Sequence, residues 1–344
     1  MGKKSGADAA GRPTMKDVAA RADVGLSTVS RVVSGKGGVS RAKRQAVEKA
    51  VAALGYSRND FAHTLRTGSA RTIGVVVTRI SDPFYAEIIE AVESRAQERE
   101  LLVLVASAGD DSDESEQVIK RMLNRRLDGF IVVAPEEADM SFLDAERAVG
   151  TPIVFIDRPP RGLHADVVLV DNERGSTDAV RHLARAGHRS IACIAHVSGR
   201  YTSERRQSGF RKGVRDCGLA DRAELIVAVD DEVDACVEAL RELFSLPDPP
   251  TALFTTNSRT TKAVLGALRL MHAQPALVGF DDFPLAELLN PPVTTIAQDP
   301  WTMGEAAADL LFDRIAGLPG PERHIMLGTR LITRGSGEQS PSGT

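Results

Sequence analysis

Residues 14–31, TMKDVAARADVGLSTVSR, read as two short helices joined by a tight turn, the form of a DNA-binding helix-turn-helix. Thr14 is an N-cap, with Asp17 three positions on, where a carboxylate meets the helix N-terminus. Val18, Ala19 and Ala22 form a helical apolar stripe, which Asp23, Val24 and Gly25 interrupt. A second helix runs from Leu26 to Val33, with Val29 and Val32 turned inward and Ser27, Thr28, Ser30 and Arg31 turned outward. That outer face carries short donors and an arginine of the kind that reach base edges in a major groove. Taken alone, the same residues also fit an ordinary helical hairpin with a polar outer face.

Charge divides the chain at the same place. Residues 1–71 hold 14 Lys and Arg against 5 Asp and Glu, a net of +9. The remainder holds 29 against 42, a net of −13, which gives the overall −4. A basic segment on an acidic body is the footprint of a nucleic-acid-binding module joined to something else. The 344 residues allow a large core and two or three domains. No apolar run approaches the roughly 20 residues of a membrane span. The start, MGKKSGADAAGRP, has no secretory apolar region, so a cytoplasmic, nucleoid-associated protein is expected. Cys193, Cys217 and Cys236 are scattered without metal-type spacing; no metal and no cofactor is expected.

Outward from the opening stretch, residues 39–56 predict a third helix, capped by Ser40, patterned by Val47, Ala50, Val51 and Leu54, and ended by Gly55. Residues 57–71, SRNDFAHTLRTGSAR, predict a weakly amphipathic hinge helix capped by Asn59. About ten helical residues without a packing partner are marginal alone. From residue 72 the texture is α/β. TIGVVVTRI, LLVLVAS, DGFIVVAP, PIVFIDRP, DVVLVDN, SIACIAH, TALFTTN, ALVGFDDF and TTIAQDP are apolar strands alternating with helices. Such runs imply parallel sheets covered on both faces, and about ten strands imply two doubly wound subdomains. Ligands of such sheets bind outside the carboxyl ends of the strands.

These motifs, with HLARAGHRSIACI, RRQSGF and PPVTTIAQD, in this order and spacing, resemble the LacI/GalR family of bacterial transcription regulators over about residues 14–335. The family's effector body is in turn similar to periplasmic sugar-binding proteins. The resemblance implies an arm at 1–13, a headpiece at 14–58, a hinge helix and linker at 59–71, and an effector-binding and dimerisation domain at 72–335. Its N-subdomain would hold about 72–170 plus 300–327, and its C-subdomain about 171–299 plus 328–335. A disordered tail is expected at 336–344, with no apolar heptad for a tetramerising coiled coil, so a dimer is expected.

The implied function is a sequence-specific DNA-binding regulator, a repressor of carbohydrate uptake or catabolism genes, acting as a homodimer on a pseudo-palindromic operator. DNA would be met by Thr14, Leu26, Ser27, Thr28, Arg31 and Ser40, and in the hinge by Asn59, Ala62, His63, Leu65 and Arg66. Leu65 would wedge between central base pairs and kink the duplex; its structural alternative is a small contact between hinge and body. Three positions depart from the family pattern: Arg58 replaces a hinge proline, Gly25 a small hydroxyl residue, and Leu26 is apolar where base-reading polar residues also occur.

The implied effector site gathers strand-end residues, Asp82, Phe84, Tyr85, Asp157, Arg158, Asn257, Asp281 and Gln298, together with Thr202 and with Arg206, which opens an R-x-x-G-F helix start matching the family's sugar-contacting arginine. This set looks most like ribose-binding members of the wider superfamily, which implies a pentose-like sugar acting as an inducer. Alternatives remain at single positions. Asp157 and Arg158 could form only an internal salt bridge, Phe84 could be core, Asp282 could cap a helix beside Asp281, and Asp171 and Asn172 cap the helix that follows them. Ser258 and Arg259 stand where the family often has an acid after Asn257, which leaves open a phosphorylated sugar or a nucleoside or purine-type corepressor. An enzyme is disfavoured by the lack of a nucleophile elbow, P-loop or GxGxxG motif.

Overall fold

A computed structural model describes residues 13–33, 37–56, 69–109, 112–135, 139–196 and 201–341. The hinge positions Asn59, Ala62, His63, Leu65 and Arg66, and Arg58 before them, lie outside the described residues. The chain divides into two compact units at Ala70 and Arg71.

The first unit holds helices α1 (Met15–Ala22), α2 (Leu26–Val33) and α3 (Arg41–Leu54). Thr14 and Asp17 form a reciprocal capping box: Asp17 N donates to Thr14 Oγ1 (3.4 Å) and Thr14 N to Asp17 Oδ2 (2.7 Å). Asp23, at φ 50°, ends α1 in the left-handed region. Ser40 sits at the N-cap of α3, but its side chain makes no capping hydrogen bond, so its expected capping role is not realised. Gly55 closes α3 at φ 59°, and the Tyr56 amide turns back to Val51 O (3.0 Å). This glycine turn buries Tyr56 beside Val18, Val29, Val32, Val47 and Ala50, the buried core of the unit among the described residues.

The second unit begins with β1 (Thr72–Val77), α4 (Pro83–Gln97), β2 (Leu102–Ser107), α5 (Ser112–Leu123), β3 (Phe130–Val133), α6 (Asp144–Ala148), β4 (Ile153–Ile156) and β5 (Asp166–Val170). It continues with α7 (Asn172–Arg185), β6 (Ile191–His196), α8 (Tyr201–Asp216), β7 (Ile226–Val229), α9 (Val233–Phe244), β8 (Ala252–Thr255), α10 (Ser258–Met271), β9 (Ala276–Phe280) and β10 (Thr294–Ala297). α11 (Pro300–Ile315), β11 (His324–Leu327) and β12 (Arg330–Ile332) complete it. β11 and β12 are four and three residues long, too short to stand out as apolar runs.

Two six-stranded sheets result, in the orders β11-β5-β4-β3-β1-β2 and β12-β10-β9-β8-β6-β7. All neighbours pair in parallel except β10 with β12. Strand alternation explains the covering on both faces. In β1, Val75 and Val77 pack under α4 and α11, while Val76 packs with Val118, Ile119 and Met122 of α5. In β6, Ile194 faces α9 and α10, and Cys193 faces α7 and α8. The chain crosses between sheets after β5, after β10 and after β11, all at the edge where β5, β10, β11 and β12 lie. That edge is the hinge of the two lobes, and β6 and β7 lie at the far edge of the second lobe. α7 and α8 meet so closely that a Cβ on Gly209 would fall 2.2 Å from the Glu173 carbonyl oxygen.

The end of the chain corrects an expectation. Residues 336–341 are not a disordered tail but pack on the second lobe. Ser336 is buried and donates to Leu277 O (2.6 Å) while accepting from Thr294 N (2.9 Å). Glu338 bridges His182 Nε2 (2.6 Å) and Thr294 Oγ1 (2.8 Å), and Gln339 O meets His188 Nε2 (2.8 Å).

Candidate functional site

The outer face of α2 is short and polar with one apolar tip. Leu26 is 47% exposed, Ser27 and Arg31 are exposed, and Thr28 is half-buried, while Val29 and Val32 hold the helix down from beneath. Thr14 and Ser40, at the starts of α1 and α3, are also exposed. This is the arrangement that presents side chains to a groove from a helix anchored on its other side.

In the second unit, the carboxyl ends of the two sheets enclose a small cleft of about 80 Å³. All ten residues expected from the sequence line it: Asp82, Phe84, Tyr85, Asp157 and Arg158 from the first lobe, and Thr202, Arg206, Asn257, Asp281 and Gln298 from the second. Thr78, Arg79, His196, Ser203, Thr256, Ser258 and Arg259 complete the lining.

On the first lobe, Asp157 follows β4, and its φ of 66° turns its carboxylate off the strand. Tyr85 Oη donates to Asp157 Oδ2 (3.0 Å), and burial together with that carboxylate pushes the phenol pKa upward, so Tyr85 remains a donor. Arg158 Nε donates to the same oxygen (3.3 Å) and its Nη1 to Ala134 O (3.3 Å). The internal salt bridge offered as an alternative for Asp157 and Arg158 is therefore present, on the cleft wall. Phe84 likewise does both: it packs on the lobe core, meets Tyr85 edge-on at 5.2 Å, and lines the cleft. Asp82 caps α4 by accepting from Phe84 N (3.1 Å).

On the second lobe, Arg206 is buried to 4% exposure and held from four sides. Its Nε donates to Asn172 Oδ1 (2.7 Å), its Nη1 to Thr256 O (2.6 Å) and Asp281 Oδ2 (3.0 Å), and its guanidinium lies 3.8 Å from the Phe280 ring centroid. Gln298 Nε2 donates to Asp281 Oδ1, and Asn257 caps α10 by accepting from Thr260 N (2.8 Å). Burial raises the Asp281 carboxyl pKa against the pull of Arg206 and Gln298, and Asp157 across the cleft adds to the rise. Asp281, at φ 67°, stands on β9 as Asp157 stands on β4.

Two readings change. Asp282 caps no helix; it pairs with Arg334 (2.7 Å) and accepts from Thr295 Oγ1 (3.1 Å). Asp171 does cap α7, accepting from Arg174 N (3.0 Å), but Asn172 is buried and orients Arg206. Of the lining, Thr78, Arg79, Ser203, Thr256 and His196 were missed, as was Asp231 beside Arg259; His196 ends β6 and Asp231 follows β7. The strand-end rule, applied to IACIAH and VAVDD, points to both. Arg259 is not a lone cation: it lies 2.6 Å from Asp231. Burial raises the Asp231 pKa, but contacts with His196, Thr260 and Arg259 outweigh it and hold the carboxyl at about 2.

Comparison with known proteins places this geometry. Residues 14–59 match the model of bacterial regulatory proteins of the lacI family, and residues 180–337 match a periplasmic binding protein-like domain. The HTH-type transcriptional repressor CytR of Escherichia coli (strain K12) is 32% identical over 340 residues, covering 95% of this chain and 97% of that protein. The ribose operon repressor of Escherichia coli (strain K12) is 31% identical, covering 94% and 99%. Among solved structures, a complex of the transcriptional regulator CelR with cellobiose is 32% identical, covers 94% of this chain and all of that one, and superposes with a TM-score of 0.69. The lac repressor dimer bound to operator and the anti-inducer ONPF is 25% identical, covers 95% and 99%, and superposes with a TM-score of 0.83. With a headpiece of this form, a two-lobed body and full-length repressor relatives, the chain belongs to the lacI family of bacterial regulatory proteins and is a DNA-binding transcriptional regulator.

Proposed function

We propose that the protein is a cytoplasmic repressor that binds a pseudo-palindromic operator as a homodimer and releases it when a neutral, pentose-like sugar occupies the cleft. The observation that carries this reading is the convergence of the ten expected residues, five from each lobe, on one cleft. A ligand touching both lobes favours one closure angle, and it shifts the equilibrium only by its difference in affinity between the two states. The role assigned is binding and not catalysis: the carboxylates, amides and arginines match adjacent hydroxyls, and Phe84 offers a face to C–H surface.

Charge supports a neutral effector. The lining holds Arg79, Arg158, Arg206 and Arg259 against Asp82, Asp157 and Asp281, and Asp231 beside Arg259 makes four of each sign. Arg259, the residue that had left a phosphorylated effector open, is already matched. One relative is named for a ribose operon and one structural neighbour holds cellobiose, both neutral sugars.

A thermal-shift screen tests the reading. Ligand at about 100 times its dissociation constant adds roughly 2.7 kcal/mol, several degrees for a body of this size. Stabilisation by ribose or another neutral sugar is the expected result. Stabilisation by sugar phosphates alone would overturn the choice of effector.

A further inference from the structure

Apolar packing in the body respects the lobe boundary, with one exception among the described residues. Two apolar clusters fill the first lobe and two fill the second. Tyr201 belongs to the second lobe, where it opens α8, yet it packs on a first-lobe cluster that includes Val76, Ala108, Phe130 and Ala134. Ala108 and Ala134 directly follow β2 and β3, so that cluster reaches the carboxyl edge of its sheet, the edge that faces the cleft.

The contact lies away from the hinge. β6, the strand before α8, stands three strand spacings from β10, roughly 14 Å at about 4.8 Å each. A contact at that distance from a hinge is made or broken by a small change in closure angle. The ring is also held from its own side. Arg205, one helical turn along α8, places its guanidinium carbon 5.5 Å from the ring centroid. Arg206, the next residue, is fixed in the cleft by Asn172, the Thr256 carbonyl and Asp281. One helix therefore carries both the contact with the first lobe and a buried cleft arginine. Thr202 and Ser203 line the cleft, whereas Tyr201 does not.

We infer that Tyr201 is a latch between the lobes, a positioning residue that sets their resting closure angle and touches no ligand. Its effect on DNA rests on the reading that lobe closure governs operator binding. A conformational equilibrium moves by whatever contact free energy differs between its states, and a ring packed across the two lobes supplies such a difference. Tyr201 and a ligand that bridges the lobes thus act on the same equilibrium from different places.

The ligand-free, full-length protein tests this, with Tyr201→Ala, Tyr201→Gln and Tyr201→Phe set against the wild type. Small-angle X-ray scattering reads closure, fluorescence anisotropy reads operator affinity, and circular dichroism reports that each variant is folded. Tyr201→Ala is expected to enlarge the radius of gyration and to shift operator affinity by roughly fivefold or more, the low end of allosteric couplings. Tyr201→Gln is expected to follow Tyr201→Ala, so a folding defect in one of them does not remove the test. Tyr201→Phe keeps the ring and is expected to match the wild type in both readouts. If the folded truncations leave the radius unchanged, or if Tyr201→Phe behaves as they do, the latch is wrong. If the radius grows while operator affinity holds, the latch stands and the reading that closure governs operator binding falls.

Discussion

The two lobes of the body are built to one plan, and they differ where it matters for ligand. β1, β2, β3, β4, β5 and β11 of the first lobe stand in the same order as β6, β7, β8, β9, β10 and β12 of the second. At equivalent positions, after β4 and β9, each lobe turns an aspartate into the left-handed region, Asp157 at φ 66° and Asp281 at φ 67°. Left-handed backbone at a non-glycine residue costs about 1–3 kcal/mol and persists where the surroundings enforce it. The same strained turn delivers a carboxylate to the cleft from both sides. The partners then diverge. Asp157 is held by its own neighbour Arg158 and by Tyr85 of the same lobe. Asp281 is held by Arg206, which Asn172 and the Thr256 carbonyl fix in place, and by Gln298, whose Oε1 remains unmet. Topology thus fixes where a carboxylate goes, and the side chains around it decide whether it braces the wall or waits for ligand.

The largest expected effect separates these two aspartates. Asp281→Ala leaves the buried Arg206 guanidinium without its counter-charge, and breaking such a pair costs about 3–5 kcal/mol. Asp157→Ala should cost less, because its contact with Arg158, at 3.3 Å, is longer than the 3.0 Å between Asp281 and Arg206. Urea denaturation of both variants measures the difference. Equal losses would mean that the lobes hold their carboxylates alike.

A second difference lies at the last strands. β11 pairs in parallel with β5, whereas β12 runs antiparallel to β10 and leads into the docked residues 335–341. Truncation after Arg334 removes the five hydrogen bonds of Ser336, Glu338 and Gln339 described above, at about 0.5–1 kcal/mol each and so roughly 3–5 kcal/mol together. Hydrogen exchange should quicken at β9 and β10 and stay unchanged in β4 and β5. Uniform quickening in both lobes would show that the tail does not brace the second lobe selectively.

The smallest effect is a pH slope. Asp231 is held at about 2, below the usual carboxylate range, so its contribution is complete above about pH 4 and is lost as pH falls toward 2. The shift from 3.8 to about 2 corresponds to roughly 2 kcal/mol. Asp231→Asn should flatten the acid limb of stability by up to that amount. A limb of unchanged steepness would mean that the carboxylate is not held as its contacts with Arg259 and His196 indicate.

Much of this was legible in the sequence because it follows from periodicity and strand ends. The capping pair Thr14 and Asp17, the inward Val29 and Val32, and eight of the ten cleft residues lie where helical spacing and the carboxyl-end rule put them, while Arg206 and Thr202, on a helix, were placed by the family resemblance. The misses share a cause. The tail GSGEQSPSGT has no apolar pattern, and it docks through Ser336 and Glu338 making polar bonds that no hydropathy reading detects. Asn172 looks like half of a cap, yet tertiary packing of α8 against α7 brings Arg206 to it. Tyr56 lies past the helix stop, and a left-handed Gly55 turns it back into the core. Asp231 and Arg259 are 28 positions apart, so their pairing was visible only once β7 and β8 took their places in the sheet.

The central claim is that occupancy of the cleft governs operator binding. The direct measurement is operator affinity by fluorescence anisotropy, with and without saturating effector, for the wild type and for Asp281→Ala. A coupling of about 1–3 kcal/mol, a change of roughly 5- to 150-fold, is expected in the wild type, and by reciprocity operator must change effector affinity by the same factor. The account predicts that Asp281→Ala still binds operator and no longer responds to effector. A variant that responds as the wild type does would contradict the account, because the effector would then act from somewhere other than this cleft.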